Sequence, residues 1–384
     1  MEFSLFFVGQ LSEPTPARER QMLLDCVEQA VLADRMGFDR VWAVEHHGLK
    51  WYSHMSASEV FLTWVAARTE RIRIGHGVVT MPFAYQHPVR VAERTAMLDV
   101  LSGGRLDIGA GHGGSDQETA LYGVDREAAR PQVREALDIL TGIWRSERFE
   151  WHGSVDIGPG SVFPRPLQEP HPPLFLACSK EETLRTAATL GLGALVLGFG
   201  GPGITRRRRA VYDAARAGRT PEGLLSPAVN DHFAVVCPTV VLDDAARARA
   251  VGLRGQQFFV ESSRHWYGGG RPPRQDPVMD GERALRGAER DILDELDACG
   301  VPFRPEYVAA YNTDHPYGTA EAAVERVREL ADAGADEVMC LVQMGTVPHE
   351  VCLETIRQWG EKVIPHFRSG AVTGRRASGP PRRT

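Results

Sequence analysis

The sequence predicts an α/β chain folded as a (β/α)8 barrel with insertions, on three observations. Eight short apolar runs, at residues 3–8, 41–44, 72–81, 106–111, 174–178, 194–198, 232–237 and 337–342, alternate with or are separated by helical stretches. No glycine-rich dinucleotide turn follows the first run, which argues against an open doubly wound sheet. Titratable and glycine-rich segments collect where the runs end, the face on which parallel barrels keep their chemistry.

Taken in order, Phe3 to Val8 reads as a buried strand, followed by a turn-rich loop from Ser12 to Pro16. Leu24, Val27 and Val31 share a helix face that Gly37 ends before the Val41 strand. Residues 59–69 read as helix, and the strand at 72–81 is interrupted by Gly75 and Gly77. Pro88 suits the first turn of the next helix, and Ser102-Gly103-Gly104 closes it. Val133, Leu137, Leu140 and Trp144 mark an amphipathic helix. Two stretches depart from a bare barrel. Residues 151–173, rich in Gly, Pro and aromatics, predict an irregular excursion with a hairpin. Residues 262–283, holding Gly268-Gly269-Gly270-Arg271-Pro272-Pro273, predict a mobile lid. The barrel domain is expected to span residues 1–368, and the Arg-, Gly- and Pro-rich tail at 369–384 to be disordered.

Composition narrows the function. A net charge of −6 disfavours a nucleic-acid or anionic-membrane binder, which needs a basic surface. No apolar run reaches membrane-span length, and the opening residues lack a basic flank and a small-residue cleavage site, so they are expected to be a strand. Six scattered cysteines without a C-x-x-C pair suggest neither a disulfide framework nor a zinc site, and fit a reducing cytoplasm.

Three strand ends carry unusual content: Glu45-His46-His47, Gly75 to Pro82 followed by His87-Pro88, and Gly109 to Ser115 with His112 and Gly113. Repeated glycine there permits positive φ or a close backbone approach to a ligand. The fifth strand runs into Ser179, Lys180 and Thr183, where a serine cap, free N–H groups and a rare lysine make a phosphate-binding helix start. Each feature alone is equally at home as a plain cap or a wet loop. Together they converge on one mouth.

Gly37-Phe38-Asp39-x-Val41-Trp42 with Glu45-His46-His47 resembles the bacterial luciferase-like flavin monooxygenase family. So do Val78 to Pro82, His87-Pro88-Val89-Arg90-x-Ala92-Glu93, Leu101-Ser102-x-Gly104-Arg105, Ala177-x-Ser179, Gly318-Thr319-x-Glu321 and Ile364-Pro365-His366-Phe367. The resemblance implies a luciferase-like TIM barrel that takes reduced FMN (FMNH2) from a separate flavin reductase. It implies activation of O2 as a C4a-(hydro)peroxyflavin and oxygenation of a small organic substrate. His46 then matches the catalytic histidine, flanked by Glu45 and His47. Gly77-Val78 matches a non-proline cis peptide against the flavin face, and His112, Gly113, Ser179, Lys180 and Thr183 fall in the cofactor-binding region. Many relatives have arginine where His112 stands. Phe6, Trp51, Tyr52 and Phe83 are candidates for the substrate wall, and a homodimer is implied. Two alternatives stay open on the same scaffold: an F420-dependent oxidoreductase, with Arg206 to Arg209 as a basic approach, and a non-catalytic flavin-binding barrel.

Overall fold

The computed structural model describes residues 1–276 and 279–368. Eight parallel strands close into one barrel: Glu2–Phe7, Arg40–Ala43, Arg73–Thr80, Leu106–Gly111, Leu174–Cys178, Gly193–Val196, Phe233–Pro238 and Glu337–Leu341. They are the eight runs read from the sequence. Each pairs with its sequence neighbour in the barrel, and the last closes on the first through Phe3 opposite Val338 and Leu5 opposite Cys340.

The barrel interior explains one glycine, Gly75. Trp42 is fully buried and meets Phe175 edge-on, with ring centroids 5.0 Å apart. A Cβ on Gly75 would sit 2.3 Å from the Trp42 ring, so the strand opposite the indole must be bare there. At the amino-terminal end of the barrel, Arg40 is buried among Glu2, Asp107 and Glu337. The guanidinium lies 5.2 Å from the Trp42 ring centroid.

Between the fourth and fifth barrel strands, Phe149–Trp151 pairs antiparallel with Ile157–Gly160, and the Trp151 indole donates to Glu135 at 2.8 Å. The stretch expected to be a lid is built differently. Residues up to Gly268 complete the helix Ala245–Gly268, which ends at Gly269 in the left-handed region. A second helix, Gly281–Ala298, begins after the Asp280 cap. The helix runs on past Ser262 because it buries Phe258 and Ser262 on one face, and that packing carries it onward to Tyr267. The connector is tied as well: Glu261 accepts from the Arg274 backbone at 2.8 Å, and Arg254 donates to the Arg274 carbonyl at 3.0 Å. Residues 277 and 278 and the basic tail lie outside the described residues. Among the described residues, no helix is long and apolar enough to cross a membrane.

Candidate active site

The second strand stops at Ala43, and Glu45-His46-His47 follows at the carboxyl-terminal mouth. Glu45 is buried and both imidazoles are partly so. The side chain that organises them is Glu118, far along the chain in the short helix Asp116–Tyr122. Its Oε1 lies 2.9 Å from His46 Nδ1 and accepts the His47 backbone N–H at 3.1 Å. Its Oε2 accepts the Ser115 hydroxyl at 2.7 Å and the Ser115 backbone N–H at 3.2 Å, the second being one half of a capping box that fixes the carboxylate.

Burial pushes the Glu118 carboxyl up. Its bonds to His46, Ser115 and the His47 N–H outweigh that and hold it at about 2. It is therefore ionised at neutral pH and acts only as an acceptor, so His46 Nδ1 carries the proton. Nε2 is left without a hydrogen-bond partner among the described residues. His47 is tied at both nitrogens, by Glu45 Oε1 at 3.2 Å and the Tyr122 hydroxyl at 3.2 Å. Gln86 steadies Glu45 at 3.1 Å and also donates to the Thr80 carbonyl at 2.6 Å.

The third strand supplies the floor. The Gly77–Val78 bond is cis, and the pairing with the fourth strand shifts register between His76 and Val79. Gly109 and Gly111 are explained by this bulge. A Cβ at 109 would come within 2.5 Å of the His76 carbonyl, and one at 111 within 2.4 Å of the Val78 side chain. These two glycines admit protein, not ligand. Gly113 is the one in the left-handed region, and a Cβ there would meet the Tyr85 hydroxyl at 2.9 Å. That hydroxyl is buried and has no partner among the described residues.

The fourth and fifth strand ends bring cations together. Burial, with Arg130 and then Lys180 adding to it, holds His112 below the usual imidazole range, so its ring is neutral while no anion is near. Arg130, which pairs with Glu182 at 2.9 Å, was not legible as a site residue, because it reaches this corner from a separate helix, Arg126–Arg145. Ser179 does not cap the next helix as its sequence suggested. Lys180 occupies the cap position of Glu181–Leu190, and Thr183 Oγ1 donates to the Lys180 carbonyl at 2.8 Å. Ser179 and Lys180 are exposed.

Of the four expected wall residues, one meets His46. Tyr52 lies with its ring centroid 5.3 Å from the imidazole, and Trp51 packs edge-on against His265 at 5.4 Å. Phe6 lies beneath Gly77 in the barrel interior. Phe83 makes no ring contact with the others among the described residues; its backbone N–H is held by Gln132 at 3.0 Å. The wall is completed by Tyr267, at the tip of Ala245–Gly268, whose hydroxyl is 3.4 Å from His46 Nδ1 and whose ring is 5.7 Å from Tyr52. Trp266 beside it donates to the Lys50 carbonyl at 2.7 Å, pinning the helix tip over the mouth.

The family model for luciferase-like monooxygenases matches residues 1–337. The chain belongs to that family. By that membership it is an enzyme of the luciferase-like monooxygenase type. It is 25% identical over 385 residues to the oxygenase component of the flavin-dependent trigonelline monooxygenase of Acinetobacter baylyi, covering 98% of this chain and 99% of that one. It shares 30% identity over 176 residues with an F420-dependent glucose-6-phosphate dehydrogenase of Amycolatopsis mediterranei, 44% of this chain and 52% of that one. Its fold matches the FMN-bound oxygenating constituent of 3,6-diketocamphane monooxygenase of Pseudomonas putida with a TM-score of 0.71. That likeness runs at 19% identity and covers 95% and 98% of the two chains.

Proposed function

We propose that this chain is the oxygenase component of a two-component system, taking reduced FMN from a separate flavin reductase and oxygenating a small organic substrate with O2. The observation that carries the reading is His46, held through Nδ1 by an ionised carboxylate and left with a free Nε2 at the mouth that holds Gly77–Val78 and the His112 cluster.

The residues present fit the cofactor. His112, Arg130 and Lys180 form a cationic corner suited to a phosphate dianion, with Ser179 and Thr183 beside it. A phosphate placed there would return His112 toward its charged form. Gly77–Val78 offers a flat backbone floor, and the orphaned Tyr85 hydroxyl is a donor waiting for a polar ring edge. Reduced FMN, when bound, supplies the electrons for oxygen activation.

The chain does the rest. Glu118 fixes the His46 tautomer, and Nε2 gives or takes a proton at the reacting edge. Glu45 and Gln86 orient His47. Tyr52, Trp51 and Tyr267 exclude water; burial, with Glu118 and neighbouring hydroxyls adding, keeps the Tyr52 and Tyr267 phenols protonated.

An F420-dependent reading is favoured by the partial likeness to the dehydrogenase. The basic approach it would use is largely spent: Arg207 pairs with Glu306 at 2.7 Å, Arg208 turns in to the Leu197 carbonyl at 2.8 Å, and Arg209 pairs with Asp213 and Asp336 at 2.9 Å. Aerobic turnover with FMNH2 from an added reductase, set beside anaerobic turnover with reduced F420, separates the readings. Oxygen uptake with FMNH2 and none of the F420 reaction is expected. Absence of both would leave a flavin-binding barrel without catalysis.

A homodimer is part of the proposal. Val60, Trp64, Met97 and Leu101, on the neighbouring helices Ser58–Ala66 and Pro88–Leu101, are all at least half exposed and form an apolar face a second copy would cover. Six free cysteines, five of them buried, agree with a cytoplasmic setting.

A further inference from the structure

A second group of cations lies away from His46, around a small cavity between the sixth and seventh barrel strands and the helix Gly201–Ala217. Gly200, Gly201, Arg208, Cys237, His315 and Arg326 contribute to its wall, and most of the remainder is aliphatic. The helix begins at this wall with Gly200 as its cap, so no side chain satisfies its first N–H groups, and its positive end faces the space.

His315 is nine-tenths buried, clamped between Phe199 at 5.7 Å and Tyr317 at 5.8 Å, and its Nε2 has no partner among the described residues. Arg208 bonds only carbonyls, Leu197 at 2.8 Å and Ser179 at 3.3 Å, and has no ion pair among the described residues. Arg326 is paired with Asp314 at 2.6 Å and with Glu329 at 3.1 Å. The cavity therefore keeps a guanidinium without a direct ion pair among the described residues, a helix amino terminus and an orphaned ring nitrogen.

Size and donor count select the ligand. The space open to the centre of a water-sized particle is about 20 Å³, room for one such particle and too small for a phosphate group. Water fits by volume but leaves the charge of Arg208 unanswered, and the charged groups on this wall, Arg208 and Arg326, are both donors. A monatomic anion accepts from all of them and offsets Arg208. We infer that this cavity is a halide site, with chloride as its ligand, formed by His315, Arg208, Arg326 and the start of the helix Gly201–Ala217. Burial, with Arg326 beside it, holds His315 at about 3, so the ring is neutral at pH 7 and donates to the anion in the tautomer that carries its one proton on Nε2. Because Arg208 also bonds the Ser179 carbonyl, chloride steadies the loop beside the cationic corner of the active site.

Crystals of the full chain soaked in sodium bromide should show an anomalous peak within hydrogen-bond distance of His315 Nε2. An ordered water alone at that place would overturn the site. In solution, raising sodium chloride should raise the melting temperature by about 2 °C more than sodium gluconate at equal ionic strength. His315→Phe should abolish that difference and His315→Gln, which keeps a donor, should retain it. An equal response to both salts, or a full chloride response in His315→Phe, would refute the proposal. Should His315→Phe fail to fold, the bromide peak in the unaltered chain decides.

Discussion

The two ends of the barrel carry the same chemistry and use it differently. At the amino-terminal end, His232 Nε2 sits 2.8 Å from Glu337; at the mouth, His46 Nδ1 sits 2.9 Å from Glu118. Both carboxyls are pushed up by burial and brought down further by their partners, each to about 2. The difference is saturation. Glu337 accepts from Arg40, His232 and the Trp42 indole, and Arg40 also spans Asp107 and Glu2. Glu2, His232 and Glu337 converge closely enough to suit a metal ion, but Arg40 already supplies a cation there. At the mouth, His46 Nε2 and the Tyr85 hydroxyl are left without partners among the described residues. A charge cluster with every valence used holds a fold together. One with valences to spare has something left to bind or to react with.

The largest expected effect comes from breaking the saturated end. Arg40→Met would leave Asp107 and Glu337, both with fully buried side chains, short of a counter-charge, and should cost about 3 kcal/mol of unfolding free energy in denaturant titration. A loss below about 1 kcal/mol would mean that Arg73, which also bonds Asp107 at 2.7 Å, and His232 suffice.

At the mouth the same kind of deletion should spare the fold and remove the chemistry. His46→Ala should reduce product formation by about 100-fold or more, release H2O2 instead, and leave reduced-FMN affinity within about twofold. Retained coupling of oxygen uptake to product would end the role assigned to His46.

Acid titration compares the ends directly. A carboxyl held below its unfolded value contributes stability above pH 4.5, and that contribution disappears as pH falls through about 2. For Glu118, whose side chain is 2% exposed, this is on the order of 3 kcal/mol. Glu118→Gln should flatten that part of the pH–stability curve and, by freeing the His46 tautomer, lower kcat by about tenfold. An unchanged curve would place the acid sensitivity at Glu337 alone.

The smallest effect lies at the cationic corner. Arg130→Ala should weaken reduced-FMN binding by about tenfold and Lys180→Ala by less, in equilibrium titration. No change with Lys180→Ala would remove the lysine from the phosphate site.

The barrel was legible because its signals are local. Alternating apolar runs mark strands wherever they fold, and the polar break at Glu45 marks a strand end. Legibility failed where a residue's meaning depends on a distant partner. Glu118 is 72 residues from His46 and Tyr267 is 221, and nothing in their own neighbourhoods announces the meeting. Gly109 and Gly111 looked like ligand-facing glycines because sequence shows the missing Cβ and not what occupies its place; Val78 and His76 do. Residues 262–268 are helical for the same reason, since glycine content is local and the buried Phe258–Ser262 face that prolongs the helix is not.

By itself, then, the sequence determined the strand order, the closed parallel barrel and the titratable strand end, all set by short-range periodicity and turn chemistry. Only the tertiary structure decided which imidazole nitrogen is free, which carboxylate holds the other, and which cations share a corner. Those depend on side chains brought within about 3 Å across long sequence separations, a distance at which hydrogen bonds and charges act and to which sequence spacing is blind.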